Sequence, residues 1–283
     1  MSFITDSLIL GIIEAAPLVL AAVGFTLIFY LNGFINVAYS ETVTIGAYFA
    51  IVFNSMLGLN FYLAIIPSAL LSGVVSVATY LVIFRPAFQR GVGPTEMIIL
   101  SVGLSFFMRY SLRLIFGSDL YALDIVSPTS FRLFDVGVTN IQLTALILVA
   151  VITVALYLFI YRTNYGEMMR GLANNESLAM VSGINPVRVS VLIWFIAGVA
   201  GGLAGLFYGV FSFVSTALGW KLVLIIIMVT IVGGIGNVRG ALIASVGAGI
   251  ITAAVTLVSK PLYGEVILLL IFIAVLRLKK VRR

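Results

Sequence analysis

The sequence contains neither cysteine nor histidine. Without cysteine the chain has no disulfide and no thiol nucleophile. Because both cysteine and histidine are absent, the usual zinc and haem ligand sets are missing, and we predict no metal site. The lack of histidine also removes the commonest general base of enzymes. A serine–lysine hydrolase in the membrane is the remaining enzymatic alternative, but Lys221 and Lys260 both lie near the ends of apolar segments.

Charged residues are also scarce, at 9% of the 283 residues, whereas 62% are hydrophobic and the mean hydropathy is +1.24. An ordinary soluble domain is about 45–50% apolar and about 25% charged. A soluble chain of this composition would have too little polar surface to stay in water, whereas lipid can solvate outer apolar faces. We therefore predict an all-α, polytopic membrane helix bundle that forms a single domain over residues 1–283.

Apolar segments recur along the whole chain. Crossing about 30 Å of hydrocarbon takes roughly 20 apolar residues, and on this criterion the sequence predicts about eight to ten spans. The nine candidates are 8–31, 34–58, 61–84, 96–116, 139–161, 187–213, 221–238, 240–258 and 262–277. The segments 34–58 and 221–238 are the least regular, so either one can be broken or re-entrant.

The net charge of +6 comes from lysine and arginine at the ends of these spans. Positive charges at span ends set the topology of a membrane protein, so they give no reason to expect nucleic acid as a partner. One side holds Arg85, Arg90, Arg162, Arg170, Arg188, Arg239, Arg277, Lys279, Lys280, Arg282 and Arg283. The other holds Arg109, Arg113, Arg132, Lys221 and Lys260. The richer side is predicted to be cytoplasmic, which places the C-terminus inside and, with nine spans, the N-terminus outside.

The loop 162–186, on the predicted inner side, is the most polar stretch inside the chain, and its pattern predicts one helix over about 167–182. Met169, Leu172, Ala173 and Met180 fall on one stripe at helical spacing, and Gly183 suits a C-cap. The pattern fits two structures equally well. One is a connector with a helix resting on the membrane surface, and the other is a docking helix for a cytoplasmic partner.

Two glycine-rich stretches predict close contacts between backbones. Gly201, Gly205 and Gly209 are four residues apart and form a flat helix face, which favours packing within this chain over a subunit interface. A second group follows a later apolar segment and consists of Gly233, Gly234, Gly236 and Asn237. It lacks the glycine spacing of a nucleotide-binding loop, so it predicts a tight turn or a broken helix and no ATP site on this chain.

Ionisable residues within spans are costly and are therefore functional candidates. Glu14 and Arg109 both lie roughly 10 Å from the outer ends of their spans, so we expect them to pair. Together with Glu14 and Arg109, polar residues of the segment 34–58 are candidates to border a translocation path: Asn36, Tyr39, Ser40, Glu41 and Thr44. The alternative is that Glu14 and Arg109 form a purely structural salt bridge and that Glu41 is a carboxylate at the membrane surface.

Three stretches together resemble a known family. They are Asn32–Ala38 with Gly46, Ala47 and Tyr48; Tyr161–Thr163 with Gly166, Met169, Arg170, Ala179, Gly183 and Ile184; and Val232–Val238 with Gly240 and Ala241. In order and spacing they are similar to the LivH-type permease subunits of branched-chain amino acid ABC importers, over nearly the whole chain. That family usually has a histidine–glycine pair where this chain has Tyr39 and Ser40 before Glu41, which leaves the exact substrate open.

The resemblance implies a multi-pass subunit of a prokaryotic plasma membrane that works by alternating access. Its implied partners are a second permease, two cytoplasmic ATPases that hold ATP and Mg, and an extracytoplasmic binding protein, with no cofactor on this chain. It also implies that an ATPase-coupling segment contains Gly166, Glu167, Met169, Arg170, Leu172, Ala173, Glu176, Met180 and Gly183. Alternatives are uptake of urea or short amides within the family, a secondary transporter driven through Glu14 or Glu41, and a scaffold protein.

Overall fold

The computed structural model describes residues 2–125, 130–133, 136–259 and 261–281. Three residues of the charge argument, Lys260, Arg282 and Arg283, lie outside these ranges. The helices are α1 Ser2–Asn32, α2 Tyr39–Ile51, α3 Phe61–Thr79, α4 Arg85–Gln89, α5 Pro94–Phe116, α6 Asn140–Arg162, α7 Asn164–Asn174, α8 Glu176–Val181, α9 Pro186–Phe211, α10 Leu218–Gly233, α11 Val238–Val258 and α12 Pro261–Val281. Two π-helical turns, Val52–Met56 and Tyr80–Phe84, extend α2 and α3.

Among the described residues, six helical segments are long and apolar enough to cross a bilayer. They are Ile4–Asn32, Phe61–Gln89, Pro94–Phe116, Asn140–Arg162, Pro186–Phe211 and Val238–Val258. The other three predicted spans fall on α12 and on the two short helices α2, with 13 residues, and α10, with 16. The predicted all-α polytopic bundle is confirmed, and the two segments expected to be irregular are α2 and α10.

A small β-hairpin is a regular element that the sequence did not predict, as is the short helix α4. Strands β1 (Ser130–Leu133) and β2 (Val136–Thr139) pair antiparallel in the long connection between α5 and α6. Nearby, the backbones of Tyr121 and Val214 exchange two hydrogen bonds of 3.0 and 2.8 Å. This bridge ties the connection after α5 to the one between α9 and α10.

The connections gather at two opposite ends of the bundle. At one end, the Asn54 amide donates to the carbonyls of Leu59 and Asp124, which joins α2, α3 and the connection after α5. At the other, a cavity of about 250 Å³ lies between the ends of α1, α3 and α9 and the helices α4, α7 and α8. This second end, which carries Arg85, Arg90, Arg162, Arg170 and Arg188, is called the basic end below.

Helix α1 lies at the centre of the bundle and packs on α11, α9, α6 and α10. Its middle part is apolar on all sides, and the side chains from Leu18 to Val23 are almost completely buried. A helix that is apolar all round must be covered by other helices or by lipid, and here protein covers it. Helix α9 is buried to a similar extent, so α1 and α9 form the core around which the other spans pack.

Close backbone contact between α9 and its neighbours depends on glycine. A Cβ atom at Gly205 would overlap the carbonyl oxygen of Val43 on α2, and one at Gly202 would overlap Ser72 on α3. A Cβ at Gly201 would lie 3.0 Å from the Tyr39 hydroxyl, and one at Gly209 would lie 2.9 Å from the side chain of Val214. The small-residue face of α9 is therefore covered inside this chain, because only glycine lets α2 and α3 approach so closely.

We expect the substitution Gly205→Ala to destabilise the protein by about 1–3 kcal/mol, since the added methyl forces α9 away from α2. The measurement is the thermal stability of purified protein by fluorescence-detected size exclusion. The matched control is Gly247→Ala, because a Cβ at Gly247 has open space and alanine favours the helix by about 1 kcal/mol. Equal stability of the two variants would contradict the packing described here.

The turn between α10 and α11 also depends on glycine. Gly234 and Gly236 have φ values of +97° and +76°, a region that L-residues with side chains rarely adopt. The backbones of Gly233 and Gly240 touch, and the Asn237 side chain accepts a hydrogen bond of 3.1 Å from the amide of Gly240, which caps α11. The structure therefore has a tight turn here, one of the two forms that the sequence predicted.

Candidate functional site

Helix α2 begins inside the bundle rather than at its surface. The chain runs from the end of α1 into the interior, where the amide of Val37 donates a 3.0 Å hydrogen bond to Ser101 Oγ in the first half of α5. Eleven of the 13 residues of α2 are buried. A short helix with polar residues in its first turns is thus enclosed by α3, α5, α9 and α10.

Glu41 lies in the first turn of α2 and is completely buried. Its Oε1 accepts hydrogen bonds from Arg109 Nη2 at 2.7 Å and from Ser105 Oγ at 2.9 Å, and its Oε2 accepts one from Thr44 Oγ1 at 3.3 Å. Ser105 and Arg109 are four residues apart on α5, so both face α2. The three donors and the positive N-terminal end of α2 compensate a charge that would otherwise be expensive to bury.

Aromatic rings cover the guanidinium of Arg109. It lies 4.3 Å from the ring centre of Trp220 on α10 and 5.5 Å from that of Phe106 on α5. Arginine tolerates such a site because it is weakly hydrated and stacks on aromatic faces. Thr44 extends the cluster, because its hydroxyl oxygen accepts a 2.8 Å hydrogen bond from the amide of Gly219 at the start of α10. We call Glu41, Thr44, Ser105, Arg109 and Trp220 the polar cluster; it joins α2, α5 and α10.

The expected pair of Glu14 and Arg109 is wrong. Arg109 binds Glu41, whereas Glu14 lies in a cavity on another side of the bundle. The two residues are at similar depth, but depth does not determine the direction in which a side chain points around the bundle axis. Helix α1 packs on α11, α9, α6 and α10, whereas α5 packs on α2.

The residues of the segment 34–58 expected to border a translocation path are buried in protein, each with at most 2% of its surface exposed: Asn36, Tyr39, Ser40, Glu41 and Thr44. The Tyr39 hydroxyl donates to the carbonyl of Ala197 on α9 at 3.2 Å, and Ser40 Oγ donates to that of Val37 at 2.9 Å. In this conformation these groups hold helices together. That these residues border a path stays a prediction, because it requires a second conformation in which α2 is arranged differently.

The loop 162–186 contains two helices, and the prediction of one continuous helix is wrong. Helix α7 ends at Asn174, and Asn175 is extended with φ −157°. The Asn175 side chain accepts a 3.0 Å hydrogen bond from the amide of Leu178, so it caps α8. Asparagine competes with the helix for backbone groups and favours caps, and the Asn174–Asn175 pair was the sequence signal for this break.

The apolar stripe of α7 faces the chain itself, so the expectation that Met169 and Leu172 enter a partner is wrong. They are 1% and 7% exposed and contribute to the packing of α7 on α6, α1 and α9. Gly166 touches the end of α6, and Arg170 donates a hydrogen bond to the carbonyl of Ile160. Periodicity identified an apolar face correctly but did not show what covers it.

A different apolar surface points away from the bundle. Leu178, Met180 and Val181 on α8 are 64%, 50% and 87% exposed, and sequence reasoning missed Leu178 and Val181 because the break at Asn175 changes the helical phase. We call these three residues the α8 face. Of the other predicted coupling residues, Glu167, Glu176 and Gly183 are exposed and Ala173 is half-buried. Gly183, with φ +85°, ends α8 as predicted, and the amide of Ile184 donates to the carbonyl of Ala179.

Comparison with known proteins identifies the family. The family described as "Branched-chain amino acid transport system / permease component" matches residues 7–276. The chain belongs to this family. A match over nearly the whole length confirms the resemblance given by the three stretches, and it makes this permease a membrane transport protein rather than an enzyme.

The relatives of the permease are similar over most of their length. It is 28% identical to the probable branched-chain amino acid transport permease protein LivH of Methanocaldococcus jannaschii, over 94% of this chain and 88% of the relative. It is 26% identical to the high-affinity branched-chain amino acid transport system permease protein LivH of Escherichia coli K12, over 94% and 90%. The solved structure of PsaBC from Streptococcus pneumoniae in complex with Fab has 18% identity and a TM-score of 0.49, over 96% and 90%, which is too low to carry an argument.

Proposed function

We propose that the permease is the membrane subunit of an ATP-binding-cassette importer that moves branched-chain or related amino acids into the cell. ATP and Mg bind to two separate ATPase chains, and an extracytoplasmic binding protein delivers the substrate. Family membership and the names of the relatives support the substrate class. The observation that carries the mechanism is the α7–α8 segment, because one side is anchored in the bundle and the other exposes the α8 face.

This segment has the properties of a rigid lever. Met169 and Leu172 fix α7 to α6, α1 and α9, and α1 and α9 are the most buried of the six long apolar segments in the described chain. A force applied to α8 by a moving ATPase is therefore transmitted to the core rather than lost in a flexible loop. Packed cores respond to such forces by changing between discrete arrangements, which is the physical basis of alternating access.

The polar cluster is proposed to hold one of these arrangements. It ties α2, α5 and α10 through an ion pair and two hydroxyl groups. Separating these helices would open a path beside the start of α2, where Asn36, Tyr39 and Ser40 lie. Since Tyr39 and Ser40 differ from the usual family residues, uptake assays with leucine, valine, urea and acetamide are needed to define the substrate.

The second permease subunit is proposed to cover α5. Of the six long apolar helices in the described chain, α5 is the least buried, and it packs mainly on α2. Its outer side exposes Phe106, Phe107 and Tyr110 next to the polar cluster. A partner on this side would enclose Arg109 and Trp220 at the boundary between the two subunits.

The basic end is proposed to be cytoplasmic, and the chain suits a direct test because it has no native cysteine. A single cysteine introduced by Asn174→Cys should react with a membrane-impermeant maleimide only after the cells are opened. The matched variant Asp119→Cys, on the connection after α5, should react in intact cells, since both positions are exposed. Labelling of Asn174→Cys from outside intact cells would reverse the topology and remove the proposed ATPase contact.

A further inference from the structure

A cavity of about 390 Å³ lies in the bundle away from the polar cluster. Residues from α1, α6, α9, α10, α11 and α12 line it, and most of them are apolar, among them Leu10, Leu18, Ile225 and Leu268. Among the described residues that line it, the ionisable side chains are Glu14 and the Tyr208 phenol, and none is a lysine or arginine. Pockets of this size hold small organic ligands that fit apolar walls and a few oriented polar groups.

Glu14 has no hydrogen bond or ion pair to any residue that the structure describes. It stands one turn before Pro17 of α1, and proline has no N–H, so the carbonyl of Ile13 beside it lacks its helical donor. A carboxylate within a membrane span is expensive unless it binds something. A carboxylate without a described partner and a carbonyl without its usual helical donor thus stand on neighbouring residues that line the cavity.

The remaining polar groups strengthen this character. Ser212 and Thr252 use their hydroxyl protons on the backbone carbonyls of Tyr208 and Ala248, which leaves their oxygen atoms as acceptors. The Gln142 side-chain oxygen accepts a hydrogen bond from the amide of Thr139, so only its NH₂ group remains as a donor. The described lining of the cavity thus offers several acceptors, one carboxylate and no cationic group.

We propose that this cavity binds an organic ammonium ion with an apolar body, whose nitrogen pairs with Glu14. A zwitterionic amino acid fits less well, because its carboxylate would meet no cation. A bare metal ion fits less well, because one carboxylate among apolar walls does not replace its hydration shell. The ammonium group can belong to a free amine or to the headgroup of phosphatidylethanolamine, and the experiment distinguishes the two sources.

The test is isothermal titration of the full-length permease in phosphatidylglycerol nanodiscs with three ligands of one carbon skeleton: 3-methylbutylamine, 3-methylbutanol and 3-methylbutanoate. We expect the amine to bind at least about tenfold more tightly than the other two, the factor that one charge-assisted hydrogen bond supplies. The variant Glu14→Gln should remove this preference and leave alcohol binding unchanged. Because Glu14 has no partner in the described structure, its replacement should not impair folding.

A second variant tests the location. Ile225→Trp keeps Glu14 but fills the cavity, so it should also weaken amine binding, whereas Glu96→Gln, an exposed carboxylate at the start of α5, should not. Equal affinity for the amine and the alcohol, or unchanged amine binding in Glu14→Gln or Ile225→Trp, would overturn the proposal. Adding phosphatidylethanolamine to the nanodiscs identifies the source. Competition with the amine means that the lipid headgroup occupies the site, and unchanged amine affinity means that a free amine does.

Discussion

Replacing Leu178 and Val181 by aspartate is expected to detach the ATPases and to abolish ATP-driven uptake. The two side chains are largely exposed in the chain alone, so the change should cost the fold itself within about 0.5 kcal/mol. At a partner surface, apolar anchors of this kind carry about 2 kcal/mol or more each, and two buried aspartates add a desolvation cost. The measurements are co-purification of the ATPase and uptake in membrane vesicles.

Two control variants make this result specific. Asn164→Asp adds a charge at an exposed position at the start of α7, on a different helix from the α8 face, and should retain the ATPase. The pair Met169→Asp and Leu172→Asp should instead reduce the amount of folded permease, because these side chains are buried against α6, α1 and α9. If the Leu178 and Val181 variant keeps both its ATPase and its uptake rate, the α8 face is not the docking surface.

The second large effect is expected at the polar cluster. Arg109→Met leaves the completely buried Glu41 carboxylate without its positive partner, a change that costs about 3–5 kcal/mol when one member of a buried pair is removed. Most of the protein should then aggregate or be degraded, because total stabilities are only about 5–15 kcal/mol. Fluorescence-detected size exclusion after heating measures the loss.

The double variant Glu41→Leu with Arg109→Met separates stability from transport. Removing both charges avoids an unpaired carboxylate, so stability should return to within about 1 kcal/mol of the natural protein. Uptake should stay impaired, since the connection between α2, α5 and α10 that the ion pair supplies is lost. If the single variant Arg109→Met is as stable as the natural protein, the Glu41 carboxylate does not depend on Arg109.

Hydropathy was sufficient to predict the fold class because the bilayer imposes a strong and local requirement. Each predicted span coincides with a helix, and the irregular segments 34–58 and 221–238 are the short helices α2 and α10. Their irregularity has a physical cause. Helix α2 starts inside the bundle with a carboxylate in its first turn, which only tertiary contacts with α5 make acceptable.

The contacts of the site could be predicted only in part. Glu41 and Arg109 were identified as costly charges, but their pairing depends on how helices are arranged around the bundle axis, which periodicity does not contain. The stripe through Met169 and Leu172 was identified as apolar, yet its burial inside the chain depends on the course of α1 and α9. Leu178 was missed for a local reason, because Asn175 starts a new helix and changes the faces of the residues after it.

We propose that this permease moves branched-chain or related amino acids only when separate ATPases hydrolyse ATP. The most direct test is the uptake of radiolabelled leucine into proteoliposomes that contain the permease with its second permease, both ATPases and the binding protein. We expect uptake that requires ATP and stops when the ATPases are omitted or their ATP hydrolysis is blocked. Leucine uptake at the same rate without any ATPase, driven by a proton or sodium gradient, would contradict it.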